Sequence, residues 1–286
     1  MVLIVGCGDL GGEIARLLHL AGHQVMGVRA SNKPLPAHTQ VIQADVTKPA
    51  SLSELENLKP TILIYCVAAN GQTDENYKAI YVDGLKNVLA TQANNHELQH
   101  VFFVSSTRVY GQKTNYVLDE NTPAIPADFG GDRLLEAENV LKQLCHNLST
   151  LGRACEATSM RLSGIYGAGR LYLVNMAKDM ARWPQENHWS NRIHRDDAAR
   201  FIAFCCEKVY KKQALEDCYI VTDDMPTQQY EVLTWLASKQ GVNISNIQQA
   251  TAQGGKRLSN ARMRATGFEL HYPNYQIGYA EILKNV

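Results

Sequence analysis

An excess of charge of either sign is missing from this chain. Its 286 residues carry 28 Lys plus Arg against 28 Asp plus Glu, so no global field draws it toward nucleic acid or an anionic membrane. Long apolar runs are missing as well: no uninterrupted stretch approaches the roughly 18 residues of a membrane span. The seven cysteines, at positions 7, 66, 145, 155, 205, 206 and 218, are odd in number and contain no C-x-x-C pair. That argues against a disulfide framework and against a zinc site, and no metal is expected. Several lie within apolar segments, as Cys66 does in Ile62-Leu-Ile-Tyr-Cys-Val, and read as buried thiols of a reducing compartment. Met1 runs straight into an apolar segment, so no leader is expected. Repeats, low-complexity tracts and linkers are also missing. These absences predict a cytoplasmic protein with a small-molecule substrate and neither nucleic acid nor membrane as partner. Its oligomeric state stays open.

What is present starts at the first residues. Val2 to Val5 read as a buried strand, a glycine-rich turn follows, and Ile14, Leu17, Leu18 and Ala21 give the next segment a helical stripe. Gly6, Gly8 and Gly11 have the G-x-G-x-x-G spacing. The first glycine permits the tight turn, the second lets backbone approach a pyrophosphate, and the third allows helix and strand to pack closely. Gly6, Gly8, Asp9, Leu10 and Gly11 are therefore expected to hold the phosphates at the positive end of the helix. A second strand ends at Val28, where this arrangement usually has an acidic residue for the ribose of NAD. Arg29 stands there instead, with Ser31 and Lys33 nearby and no carboxylate before Asp45. A basic residue at that place suits a 2′-phosphate, which favours NADP(H) over NAD(H). Asp45 and Val46, ending a third strand, are expected beside the adenine, with a simple turn role for Asp45 as the alternative.

Further strands follow at Thr61 to Val67 and Val101 to Ser106. The first ends in small residues, Ala68 and Ala69, suited to close passage of a cofactor. Between them lies a helix with Tyr77 and Tyr81 on its apolar face, and a later helix is expected near Asp132 with Leu135, Val140, Leu141 and Leu144 buried. The alternation predicts an α/β, doubly wound parallel sheet of the Rossmann type. The dinucleotide-binding part is expected over 1–165 and 191–222, and a small, discontinuous C-terminal substrate lobe over 166–190 and 223–286. Thr227 is expected to cap a helix of that lobe, and Asp197 to cap the helix after Asp196.

Taken together the motifs resemble the extended and atypical short-chain dehydrogenases/reductases, a group that includes NAD-dependent epimerases and dehydratases. Gly6-Cys-Gly-Asp-Leu-Gly11 matches the cofactor fingerprint. Ser105-Ser106-Thr-Arg-Val-Tyr110-Gly111 matches the segment carrying the catalytic Ser or Thr. Arg161-Leu-Ser-Gly-Ile-Tyr166-Gly-Ala-Gly-Arg170 and Arg192-Ile-His194-Arg-Asp196-Asp197 match two later patterns. The resemblance implies that Ser106 orients a substrate oxygen, that Ser105 lies by the cofactor, and that Thr107, Arg108, Tyr166, Arg170, Arg192 and His194 face the substrate. A structural role for His194 is the alternative.

One family motif is broken. Tyr-x-x-x-Lys, the acid/base and its cation, is represented by Phe129 and Arg133, and no tyrosine in the chain has lysine four residues on. Phe129 is expected in the substrate pocket with no proton to give; Arg133 keeps the charge needed to bond a ribose. Tyr110 is named as a substitute catalytic group, with Asp128 as a second option. Ser190 also replaces the arginine with which nucleotide-sugar epimerases commonly grip a diphosphate. Three readings follow: an NADP(H)-preferring oxidoreductase acting on a small molecule, a non-catalytic NADP(H) sensor or regulatory protein, and a nucleotide-sugar epimerase or dehydratase with another acid/base.

Overall fold

The computed structural model describes residues 1–31, 40–114, 116–244 and 251–284, excluding the side chain of Ser149. The elements begin with β1 (Val2–Val5), α1 (Asp9–Leu20), β2 (Val25–Arg29), β3 (Gln40–Gln43) and β4 (Ile62–Tyr65). They continue with α2 (Asp74–Tyr77), α3 (Gly84–Thr91), β5 (His100–Ser106), β6 (Val117–Leu118), α4 (Phe129–Thr150) and β7 (Glu156–Leu162). Next come β8 (Gly164–Tyr166), α5 (Tyr172–Ala177), β9 (His188–Ser190), β10 (Arg192–His194), α6 (Arg195–Tyr210) and β11 (Cys218–Val221). The chain closes with β12 (Thr227–Gln228), α7 (Gln229–Lys239), β13 (Gly254–Gly255), β14 (Arg257–Leu258), α8 (Ala261–Ala265) and α9 (Tyr275–Leu283).

Seven strands form one sheet in the order β11-β7-β5-β4-β1-β2-β3. The pairs β1–β2, β1–β4, β2–β3 and β4–β5 are parallel. Every residue of β1 and β4 is buried, which is why these strands read as unbroken apolar runs rather than alternating ones. Strand order reverses between β1 and β4, the switch point at which a doubly wound sheet opens a crevice beyond its carboxyl ends. In-register pairing of Val5 with Val28 and Tyr65, and of Tyr65 with Phe103, brings the segments after β1, β2, β4 and β5 to that edge. The doubly wound α/β expectation holds.

The chain divides into two compact units. One comprises Met1–Gly111, Ala124–Arg161 and Ala199–Tyr219, the other Gln112–Pro123, Leu162–Ala198 and Ile220–Val286. The second unit has its own core, with Tyr166, Val174, Val232, Leu236, Tyr275, Tyr279 and Ile282 among its members.

Local differences from the sequence reading have identifiable causes. The helix expected around Tyr77 is three pieces, α2, a π-helical turn over Lys78–Asp83, and α3. The Tyr65 hydroxyl donates to the Ile80 carbonyl within that turn at 2.5 Å, pairing a group of the irregular segment. α4 begins at Phe129 rather than near Asp132 because Asp128 caps it, accepting from the Gly131 N–H at 2.9 Å. Leu134, Ala137, Leu141 and Leu148 are its buried apolar residues, whereas Leu135, Val140 and Leu144 are half-buried. The helix is rotated because it also buries Glu138, paired with Arg161 at 2.6 Å. Thr227 donates to the Met225 carbonyl and does not cap α7. Asp197 lies inside α6 and accepts from the backbone N–H groups of His271 and Tyr272 at 3.0 and 2.8 Å. It is a clamp rather than an N-cap. Among the described residues no helix is long and apolar enough to cross a membrane, and no His/Cys/Asp/Glu group is arranged to hold a metal.

Candidate functional site

The glycine turn of the first unit is built for close approach. Gly6 has φ of +93°, and a Cβ there would stand 2.6 Å from the backbone of Cys66 and Val67. A Cβ on Gly11 would meet the Gly6 carbonyl at 2.4 Å. Gly8 differs: it is exposed, and a Cβ would find only the Gly6 oxygen, 4.0 Å away. The first two contacts press turn, strand and helix together, and the third leaves room over the backbone. α1 starts at Asp9 with no side-chain cap, so its first N–H groups are left for an anion. Leu10 and Gly11 are buried and Asp9 is exposed. This donor set, with its room above Gly8, fits the pyrophosphate of a dinucleotide.

Arg29 ends β2 beside this turn. Its Nη2 donates to Ser31 Oγ at 3.0 Å. Burial pushes the Cys7 thiol up to about 11, and the nearby Arg29 charge works in the opposite direction. Lys33 lies outside the described residues. The Asp45 carboxylate accepts from Thr47 Oγ1 at 2.7 Å and from Thr47 N at 3.0 Å, which holds it below the usual carboxylate range. Its side chain therefore shapes a turn, while Val46 is buried and its carbonyl accepts from Asn87. Ala68 is exposed after β4, and the Ala69 N–H donates to the Tyr81 hydroxyl at 3.3 Å.

At the end of β5 the catalytic expectation for Tyr110 needs correction. Tyr110 is fully buried; its hydroxyl meets Arg161 Nη1 at 2.5 Å and the Arg161 guanidinium lies over its ring. A phenol so enclosed is a core group, not an acid/base. The Ser105 hydroxyl is equally committed, donating to Glu138 at 2.6 Å. Thr107 is buried as well. Ser106 is half-buried and accepts from the Arg108 N–H at 3.1 Å, its own proton having no acceptor among the described residues.

Around position 129 the structure assembles a group that the sequence did not reveal. The Phe129 ring meets the Tyr77 ring edge-on, centroids 5.4 Å apart. The Arg108 guanidinium lies 5.1 Å from the Tyr77 centroid and 5.3 Å from that of Phe129. Arg108 Nη1 donates to the Tyr77 hydroxyl at 2.8 Å, and Arg108 Nε reaches the Asp128 carboxylate at 2.9 and 3.1 Å. Burial raises the Asp128 carboxyl, but bonds from Gly131 and Arg108 leave it below its ordinary value. Arg133, expected to bond a ribose, is instead held at both sides. Its Nε and Nη2 grip Asp74 at 2.7 and 2.8 Å, and Nη1 reaches Glu136 at 2.7 Å. Such a bidentate fork is oriented by its carboxylate. Asp74 carried no sequence signal for this pairing; it lies 59 positions before Arg133.

The second unit holds the remaining expected residues. Arg170 is exposed. Tyr166 is buried against Tyr279, centroids 4.5 Å apart, and meets His194 edge-on. His194 is buried, packs against the tilted Tyr272 ring with centroids 3.8 Å apart, and accepts from the Asp196 N–H through Nδ1 at 3.2 Å. Burial lowers its basicity, with Asp196 and Asp197 opposing. The structural alternative for His194 describes these contacts. Arg192 is buried over Tyr275 and donates to Ser190 Oγ at 2.6 Å. Asp223, which no motif marks, is buried; desolvation raises its carboxyl to about 7 against the pull of Arg192. One polar atom each of Tyr166, Arg192 and Asp223 is buried without a hydrogen-bond partner among the described residues.

Residues 2–220 match the NAD dependent epimerase/dehydratase family. The chain belongs to that family. A candidate NAD-dependent epimerase/dehydratase from Methylobacillus flagellatus is 45% identical over 99% of this chain and 97% of its own, with a TM-score of 0.88. More distant folds include Thermus thermophilus UDP-glucose 4-epimerase in complex with NAD, at 16% identity and a TM-score of 0.78, each chain covered to 100%. A short-chain dehydrogenase/reductase superfamily protein from Agrobacterium tumefaciens with bound NAD is 16% identical, with a TM-score of 0.80 over 99% of this chain and 96% of that one. No curated protein matches the chain.

Proposed function

We propose that this family member is an NADP(H)-preferring oxidoreductase acting on a small-molecule carbonyl or alcohol. The observation that carries the reading is Arg29 at the end of β2, beside an intact glycine turn and bonded to Ser31. An arginine at that position supplies a cationic fork for a 2′-phosphate, where a carboxylate would instead accept from a ribose hydroxyl. Gly6, Gly8, Asp9, Leu10 and Gly11 would hold the pyrophosphate through backbone N–H groups. When bound, the nicotinamide supplies or accepts hydride. The Ser106 hydroxyl is free to orient a substrate oxygen at the end of β5.

A second reading has its own observation. Arg133 is fastened to Asp74 and Glu136, and Phe129 carries no proton. A protein that binds NADP(H) without turning it over, a sensor, would show the same pair. The nucleotide-sugar reading is disfavoured: Ser190, at the diphosphate-gripping position, accepts from Arg192 and donates to the Thr227 carbonyl. The test of the leading reading is fluorescence titration with NADPH and NADH side by side. It expects NADPH to bind at least about tenfold more tightly, a preference of about 1.4 kcal/mol. Equal affinities, or tighter NADH, contradict it.

A further inference from the structure

The geometry points to Tyr77 as the proton donor that replaces the family tyrosine, with Arg108 in the part of the family lysine, acting on a substrate carbonyl. This rests on the oxidoreductase reading above and adds a chemical assignment to it.

Two arguments converge. The first is elimination among the first unit's phenols, with Ser105, near the ends of β4 and β5, Ser106 being kept as the group that orients the substrate oxygen. Tyr110 is enclosed with Arg161, Tyr65 donates to the Ile80 carbonyl, and Ser105 donates to Glu138. The Tyr81 oxygen accepts from the Ala69 N–H. Tyr77 is itself buried, 7% exposed, and differs in its partners. Its ring meets that of Phe129 itself, so Tyr77 is a direct neighbour of the side chain that stands where the family has its tyrosine.

The second argument is the charge around its oxygen. Arg108 Nη1 donates to that oxygen at 2.8 Å, while among the described residues the phenolic proton goes to the neutral Gln72 Oε1, 3.2 Å away, which also accepts from Arg108 Nη1 at 3.3 Å. Asp128 holds the guanidinium from the other side. Proton departure leaves negative charge on an oxygen that already faces a fixed cation, the arrangement that stabilises developing charge most cheaply. Arg133, at the lysine's sequence position, is engaged with Asp74 three residues before Tyr77 on the same helix. Both halves of the broken pair thus have counterparts: the phenol at 77 and the cation at 108.

The step balances. The substrate carbonyl carbon gains hydride from the reduced nicotinamide, and its oxygen takes the Tyr77 proton as the C=O π bond breaks and an O–H bond forms. The phenolate then recovers a proton from solvent. Arg108 is a positioning residue; Tyr77 is the group that touches substrate, in the place Gln72 Oε1 now occupies.

The test follows NADPH consumption with phenanthrenequinone and a panel of small aldehydes and ketones, alongside NADPH affinity and melting temperature. Tyr77→Phe is expected to lower turnover by about 10²–10⁴-fold, the usual contribution of a general acid, with NADPH affinity within about threefold and melting unchanged. Adding Phe129→Tyr to that variant, which returns a phenol to the family position, is expected to recover at least about tenfold. Arg108→Lys is expected to retain more turnover than Arg108→Met at equal NADPH affinity. Turnover of Tyr77→Phe within about threefold of wild type overturns the assignment. So does loss of folding or NADPH binding in that variant, or failure of Phe129→Tyr to rescue it. A wild-type protein that binds NADPH but turns over nothing on the panel overturns the oxidoreductase reading itself, an outcome distinct from the others.

Discussion

Asp223 illustrates how a single residue sets a measurable property of the molecule. Its carboxyl is buried near Arg192 and titrates at about 7 instead of 3.8. Over that interval the folded chain keeps a proton that the unfolded chain has released, so stability falls as pH rises from about 4 to 7 and is level above it. The shift corresponds to roughly 4 kcal/mol at full expression. His100, lowered by burial from 6.5 to about 4, acts with the opposite sign below pH 6.5, so the wild-type curve alone does not isolate either group. Comparison with Asp223→Asn does. The variant is expected to gain stability relative to wild type progressively across the same window in urea unfolding, and a difference independent of pH contradicts the assignment.

The turn made by Gly6, Gly8 and Gly11 is legible because its geometry depends on residues adjacent in sequence. Glu138 is not. A glutamate on a helix is ordinarily solvated, and only Arg161 on β7 and the Ser105 hydroxyl, brought together by the fold, make its burial tolerable. Tyr110 lost its catalytic expectation to the same network, and Tyr77 stood in a helical apolar stripe that reads as core. Its bond to Arg108 spans 31 positions, a distance that no local pattern carries.

Among the elements, the strands were the plainest, since β1 and β4 are covered on both faces and show it as uninterrupted apolar sequence. The helix after Asn70 was read as continuous, because a π turn has no compositional mark. Its physical support is the Tyr65 hydroxyl on the Ile80 carbonyl, with Gly84 leaving space for it: a Cβ there would stand 2.6 Å from that hydroxyl. Tyr65→Phe leaves the carbonyl unpaired at a cost of about 1–3 kcal/mol. The expected result is a lower unfolding midpoint together with faster amide exchange over residues 78–84. Unchanged exchange there would show that the turn does not depend on this bond. π turns recur at functional sites, and this one directly follows Tyr77.

For the whole molecule, the sheet edge and glycine turn fit a dinucleotide. Arg29 is proposed to direct this family member to NADP(H), and the ratio of NADPH to NADH affinity, measured by calorimetry in wild type and in Arg29→Asp, is the decisive measurement. A ratio of at least about ten is expected in wild type, falling by at least about tenfold in the variant through lost NADPH affinity. A ratio unchanged by the substitution, or wild-type preference for NADH, would contradict it.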